Sequence, residues 1–335
     1  MTKILFTNRP KDVWIGGDYI QMERTAEELE KLGVGVEIIE SGLLRPALRI
    51  REFDIVHNFN FPMVWATYSC WMANLHRKPW VSTMIYTDTD RFVSYEKQQI
   101  MIDNCSAAIF ANQGEVERAK KRLTIKDDII HIIPNGIDDF WLRNIRPKNN
   151  NYGDYVLTVG RIESFKGQLA VAKACKELGF KYICVGETPD ENYAKQVKAE
   201  GAIILPPMNK EELIKMYKYA KVMVLASKTE VMSLAVMEAM AQNCPIVLTD
   251  GSGWKPNNVS FCKYNNVSSI KQAIKKEYGR KVDHKEQIKQ YRWEEVAKQL
   301  KQIYDNLLAN KATPVKPVPC KVSLEEGIKN IIQTL

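Results

Sequence analysis

Short β-branched and aromatic runs alternate with stretches of helical spacing along the whole chain. Ile4–Thr7, Val36–Ile39, Asp54–His57, Val81–Tyr86, Ala107–Ala111 and Ile129–Ile133 make one series of predicted strands. Tyr155–Val159, Tyr182–Val185, Ala202–Leu205, Val222–Leu225 and Ile246–Leu248 make a second. Between them apolar residues recur at helical intervals, as in Met22–Leu32, Gln168–Leu178 and Glu211–Tyr219. Strand and helix alternating twice over predict an α/β protein built from two Rossmann-like, doubly wound parallel-sheet domains. The break falls at Asn144–Asp154, an Asn-rich run with Pro147 and Gly153. This sets one domain at 1–145 and a second at 154–310, the latter closing on a helix at Val296–Leu308. Pro314, Pro317 and Pro319 then form a stiff connector to a short helix from Ser323, so that 311–335 reads as a tail. Such sheets bind ligands beyond the carboxyl ends of their strands. Two of them facing a cleft would place the chemistry in the loops that follow strands.

Composition narrows the setting. The chain has 335 residues, 45% hydrophobic and 26% charged, ordinary values for a folded protein of two domains. Its net charge of +8 lies entirely in the second half, with 28 basic and 20 acidic residues after position 150 against 20 of each before it. Lys255–Lys301 holds 12 basic and 5 acidic residues, which suits a solvated helical face or a contact with phosphates of DNA or an anionic membrane. Seven scattered cysteines without a Cys-x-x-Cys pair point to reduced thiols rather than a disulfide scaffold or zinc site. Ile4–Phe6 is too short an apolar run for a signal peptide, and no stretch approaches a membrane span. The expected location is cytoplasmic, at most peripheral to the inner membrane face. Four unclustered histidines predict chemistry without a bound metal.

Four local patterns carry candidate chemistry. Gly160-Arg161-Ile162-Glu163-Ser164-Phe165-Lys166-Gly167 follows a strand and leads into a helix. An Arg fork, a Lys point charge and backbone N–H groups at a helix N-terminus suit a diphosphate, although an exposed turn would read the same way. Glu230 and Glu238 lie eight apart, with a helix predicted to start near Met232. A carboxylate accepts two hydrogen bonds and so fits a vicinal diol. The alternative is that Glu230 caps the helix and Glu238 is a paired surface charge. Ile132-Ile133-Pro134-Asn135-Gly136-Ile137-Asp138 ends a strand in a tight turn, and Gly16-Gly17-Asp18 occupies the first strand-to-helix loop. These glycines do not follow the dinucleotide fingerprint.

Taken in order along one chain, these patterns closely resemble glycosyltransferase family four, whose fold is GT-B. Val185-Gly186, Glu238-Ala239-Met240-Ala241 leading to Cys244-Pro245-Ile246-Val247, and Tyr291-Arg292-Trp293-Glu294 fit as well, so the resemblance spans about residues 1–310. It implies a retaining, metal-independent hexosyl- or pentosyltransferase without a cofactor, taking a UDP- or GDP-sugar as donor. By position, Arg161 and Lys166 would hold and stabilise the diphosphate, Glu230 the sugar hydroxyls and Glu238 the ribose. Gly16 and Gly17 would close on the phosphate, backbone around Pro206, Pro207 and Met208 would face the nucleobase, and Ser233 joins the donor-binding set. Members commonly have Glu-Gly-Phe-Gly-Leu where this chain has Glu230-Val231-Met232-Ser233-Leu234, and a His near the place of Ile85.

The acceptor side is read from aromatic residues. Phe59 and Phe61 are expected exposed in a loop after a strand, able to stack on a sugar ring or a nucleobase. Tyr86 or Asp88 would take over the missing histidine's orienting role, while His57 reads as a packed histidine or a site residue. The expected acceptor is a glycan, free or lipid-linked. A hydroxymethylated base in DNA is the alternative, and a sugar-nucleotide-binding protein without transfer is the reading from another class.

Overall fold

The computed structural model describes residues 1–8, 16–40, 49–88, 93–143, 145 and 151–310. The predicted tail at 311–335 and most of the predicted linker lie outside them. The chain divides into two compact units, Met1–Asn135 together with Trp293–Leu335, and Gly136–Arg292. The helix observed at Trp293–Ala309 therefore belongs with the first unit, whereas the sequence-based division left it with the second.

The first unit is a six-stranded parallel sheet of β1 (Lys3–Asn8), β2 (Gly35–Glu40), β3 (Ile55–Phe59), β4 (Trp80–Thr83), β5 (Ala107–Phe110) and β6 (Ile130–Ile132). The spatial order is β2-β1-β3-β4-β5-β6. Strands covered on both faces read as continuous apolar runs, and β1, β3, β4 and β5 are buried along nearly their whole length. Helices Gly17–Lys31, Val64–Leu75, Tyr95–Asp103 and Gln113–Lys120 cover the sheet. Ser94 and Asn112 cap the last two by accepting from the backbone N–H groups of Lys97 and Glu115. The strand predicted at Val81–Tyr86 stops at Thr83, because Ile85 takes a left-handed φ of 46° that ends extended pairing.

The helix Trp293–Ala309 packs along Gly17–Lys31 and delivers Tyr304 to the sheet. The Tyr304 hydroxyl shares a 2.5 Å hydrogen bond with His57 Nδ1, and His57 Nε2 bonds Thr83 Oγ1 at 2.9 Å. His57 is thus a fully buried member of β3, the packed alternative of the two sequence readings.

The second unit repeats the plan with β7 (Val156–Val159), β8 (Tyr182–Val185), β9 (Ile203–Leu205), β10 (Val222–Leu225), β11 (Ile246–Thr249) and β12 (Ser260–Cys262), in the order β12-β11-β10-β7-β8-β9. Helices Gln168–Leu178, Glu191–Ala199, Lys210–Tyr219, Leu234–Ala241 and Val267–Glu277 flank it. A buried relay crosses its centre, with Tyr182 donating to Thr158 Oγ1 at 2.8 Å and Thr158 to the Val224 carbonyl at 2.7 Å. It satisfies polar groups that would otherwise be costly in the core.

Burial pushes the His57 ring down to about 3. Between that value and the ordinary 6.5 the unfolded chain binds a proton that the folded one refuses. Stability should therefore fall as pH drops through this window, by up to about 1.4 kcal/mol per pH unit from this group. Urea midpoints measured from pH 7 to 4.5 should show a shallower loss, by one proton, in His57→Gln than in the wild type.

Candidate functional site

In a doubly wound sheet the crevice forms where the strand order reverses. In the second unit that reversal lies between β7 and β10, which are paired neighbours, with β8 and β9 to one side and β11 and β12 to the other. The loop after β7 is Gly160–Gly167, and the loop after β10 carries Glu230. Two segments far apart in the chain are thus brought side by side by topology alone.

Close backbone contacts hold the first loop. Gly167 has φ 73°, and a Cβ there would lie 2.3 Å from the Ala226 carbonyl oxygen. A Cβ on Gly186 would lie 2.2 Å from the Gly160 carbonyl oxygen. Both positions exclude any side chain. The buried Gln168 side chain donates to the Arg161 carbonyl at 2.7 Å, Tyr264 donates to that of Ser164 at 3.1 Å, and the Lys228 N–H bonds that of Phe165 at 2.8 Å. The helix Gln168–Leu178 starts directly from this loop.

The second loop is equally constrained. Glu230 forms an isolated parallel bridge with Ser252, its carbonyl accepts from Gly253 N–H at 2.9 Å, and Trp254 N–H bonds the Val231 carbonyl. Val231 and Ser233 stand where the family pattern commonly has glycines, Val231 buried and Ser233 partly so. Neither takes a positive φ, so this turn is built without the left-handed backbone that glycine would supply. The helix starts at Leu234 rather than near Met232, because Ser233 is its N-cap and accepts from Val236 N–H.

These two loops bring Lys166 and Glu230 together at 2.7 Å, with side chains only 20% and 11% exposed. Arg161 lies on the same loop, paired with Glu163 at 3.0 Å and partly open to solvent. Glu238 is one turn into the helix Leu234–Ala241, and Tyr217 donates a 2.9 Å hydrogen bond to its Oε2. Burial pushes the Glu238 carboxyl up to about 8, against the opposing pull of Tyr217 and of the Lys210 ammonium. Lys210 is itself paired with Asp138 of the Pro-Asn-Gly-Ile-Asp turn. Sequence reasoning passed over Tyr217 and Lys210. The Asn209-x-x-Glu212 capping box, present in the structure, was the available signal that Lys210 opens a helix. Pro207 is exposed and Met208 half-buried in the stretch between β9 and that helix.

The first-unit candidates fare differently. Gly16 is the N-cap of Gly17–Lys31 with an ordinary extended φ of −124°, at the end of the loop after β1. Phe59 and Phe61 are not exposed. Phe59 ends β3 and is 2% exposed, while the Phe61 N–H bonds the Met84 carbonyl and its ring enters the core beside Trp80. The left-handed turn at Asn60 (φ 76°) folds the chain back inward, which removes both rings from any stacking surface. Tyr86 is buried as well, its N–H held by Glu115 at 2.6 Å and its carbonyl by Arg118 at 3.2 Å. Asp88 remains partly exposed, accepting from Tyr95 at 3.1 Å and facing Arg122 at 3.4 Å. It opens an Asp-x-Asp, Asp88-Thr89-Asp90, whose last two residues lie outside the described ones. Among the described residues no cluster of His, Cys, Asp and Glu is arranged to hold a metal ion, and no helix is long and apolar enough to cross a membrane.

Two six-stranded parallel sheets with flanking helices define the GT-B fold of glycosyltransferases. The structure is similar to sucrose-phosphate synthase from Thermosynechococcus elongatus, with a TM-score of 0.74 at 17% identity over 92% of this chain and 100% of that one. It is similar to Anabaena HepE, solved with UDP and glucose, with a TM-score of 0.73 at 14% identity over 92% and 100%. WaaG, a glycosyltransferase involved in lipopolysaccharide biosynthesis, aligns with a TM-score of 0.64 at 13% identity over 93% and 99%. No curated protein matches the sequence. Residues 143–311 match the family described as Glycosyl transferases group 1, and the chain belongs to that family.

Gly167→Ala should cost about 1–3 kcal/mol from its left-handed backbone alone, and more from the displaced Ala226 carbonyl. Gly179 has a similar φ of 70° but open space around it, so Gly179→Ala should cost visibly less. Thermal melts of the two variants decide whether close approach matters at this seam.

Proposed function

We propose that the protein is a retaining glycosyltransferase of family four that moves a hexosyl or pentosyl group from a UDP- or GDP-sugar to a glycan hydroxyl, in the cytoplasm. The carrying observation is the Lys166–Glu230 contact at the reversal between β7 and β10, with Arg161 on the same loop. There the Lys166–Glu230 pair holds a cation and a carboxylate in one half-buried place. On donor binding, Lys166 and Arg161 take the diphosphate oxygens, and Glu230 accepts from the sugar hydroxyls. As the bond from the anomeric carbon to the diphosphate breaks, its electron pair passes to the phosphate oxygen, where both cations stabilise it. The acceptor hydroxyl attacks from the same side and gives its proton to that departing phosphate. Glu238 accepts from the ribose diol, with Ser233 and the Pro207–Met208 backbone beside the nucleotide. The HepE structures with UDP, glucose and UDP-glucose support a nucleotide diphosphate sugar as donor. WaaG's part in lipopolysaccharide biosynthesis supports a glycan acceptor, with or without a lipid.

Arg161→Ala and Lys166→Ala should each slow transfer by roughly two to three powers of ten, about 3–4 kcal/mol of transition-state stabilisation. Their melting temperatures should hardly move for Arg161. Glu238→Gln should chiefly raise the donor KM. Release of UDP or GDP from a panel of nucleotide sugars, with the product anomer read by NMR, tests the whole reading. An inverted anomer would reject retention, and near-normal turnover in either cation variant would reject the diphosphate role. Activity that survives EDTA is expected, and a strict demand for added Mg²⁺ would count against it.

A further inference from the structure

Glu238 sits in an arrangement more specific than a carboxylate on a helix. Its Oε2 takes the Tyr217 hydroxyl at 2.9 Å, and Oε1 is left without a hydrogen-bond partner among the described residues. Tyr217 is itself fully buried, edge-on to Trp141 at 6.0 Å between ring centroids, so its hydroxyl has little freedom. Lys210, two turns before Tyr217 on the same face of the helix Lys210–Tyr219, attracts the carboxylate, while Asp138 opposes it and pairs with Lys210. The remaining neighbours of the helix Leu234–Ala241 add little charge. Strands β10 and β11 bring no ionisable side chain, and Glu238 is the helix's own sole charge. Asp139 is paired with Arg292, and on the helix Lys285–Lys289, next to buried His284, Glu286 and Lys289 pair with one another in solvent.

We propose that Tyr217, Lys210 and Asp138 are positioning residues that orient Glu238 and set its charge for the ribose diol of a nucleoside diphosphate. This rests on the nucleotide-binding reading of Glu238. A diol donates two hydrogen bonds and is best received by an ionised carboxylate. Burial holds back that ionisation until about pH 8, and Tyr217 and Lys210 restore it in part. Nucleotide binding should therefore strengthen as pH rises toward 8. Asp138 limits the effect of Lys210 by claiming part of its charge. The Pro-Asn-Gly-Ile-Asp turn and the first turn of a neighbouring helix thus act on one carboxyl with opposite signs.

The test is calorimetric titration of the full chain with UDP and with GDP, from pH 6 to 9. The wild-type affinity should rise to a plateau with its midpoint near 8. Tyr217→Phe and Lys210→Met should move the midpoint up and Asp138→Asn should move it down, Tyr217→Phe by the most and Asp138→Asn by the least. Glu238→Gln should bind more weakly with a flat profile. Opposite displacements from Lys210→Met and Asp138→Asn are not a signature of general loosening. Should Tyr217→Phe lose its fold, that pair alone decides. Profiles superimposable on the wild type in Tyr217→Phe and Asp138→Asn would overturn the inference, while a weakened Glu238→Gln would leave the nucleotide reading standing. Absence of wild-type binding to either nucleotide at every pH would sink that reading and the inference with it.

Discussion

The approach of Gly167 to the Ala226 carbonyl is the constraint on which the site in the second unit depends. Parallel pairing of β7 with β10 places their following loops next to each other, but adjacency alone does not fix side chains to an ångström. The missing Cβ lets the loop backbones touch, and the Lys228–Phe165 hydrogen bond locks the contact. Lys166 and Glu230, 64 positions apart, then have no choice but to meet. A site built this way is preorganised by main chain, so its charged groups spend little conformational entropy in reaching one another.

Two carboxylates eight residues apart have been given different chemistry by their surroundings. Glu230 lies on a loop against a cation, and Glu238 lies in a helix against a phenol. The first is held by the Lys166 ammonium. The second already has one oxygen spoken for and is held mostly by burial. Glu115 of the first unit shows a third use of the same group. Its two oxygens take the backbone N–H groups of Tyr86 and Ala111, stitching the ends of β4 and β5 while burial raises it to about 7.

Most of the framework was legible because strands buried on both faces must be apolar throughout, and such runs stand out from amphipathic helices. β12 was not, since Ser260–Cys262 is three residues long and opens on a polar residue bonded to Glu277. Phe59 and Phe61 were misplaced because the sequence does not reveal that β3 continues to Phe59, nor that Asn60 reverses the chain into the core. The Gly160–Gly167 loop and the glutamate pair were visible as local spacing. Tyr217 and Lys210 were not, because their closeness to Glu238 arises from packing one helix on another and leaves no trace in local order.

The helix Trp293–Ala309 has a bearing on how the molecule comes into being. Its Tyr304 completes the hydrogen bonding of His57 in the third strand, 247 positions earlier. During synthesis the first sheet therefore lacks that partner until the whole second unit has been made. The second unit, continuous from Gly136 to Arg292, has every segment it needs before then. In vectorial synthesis the unit begun first is thus the one completed last.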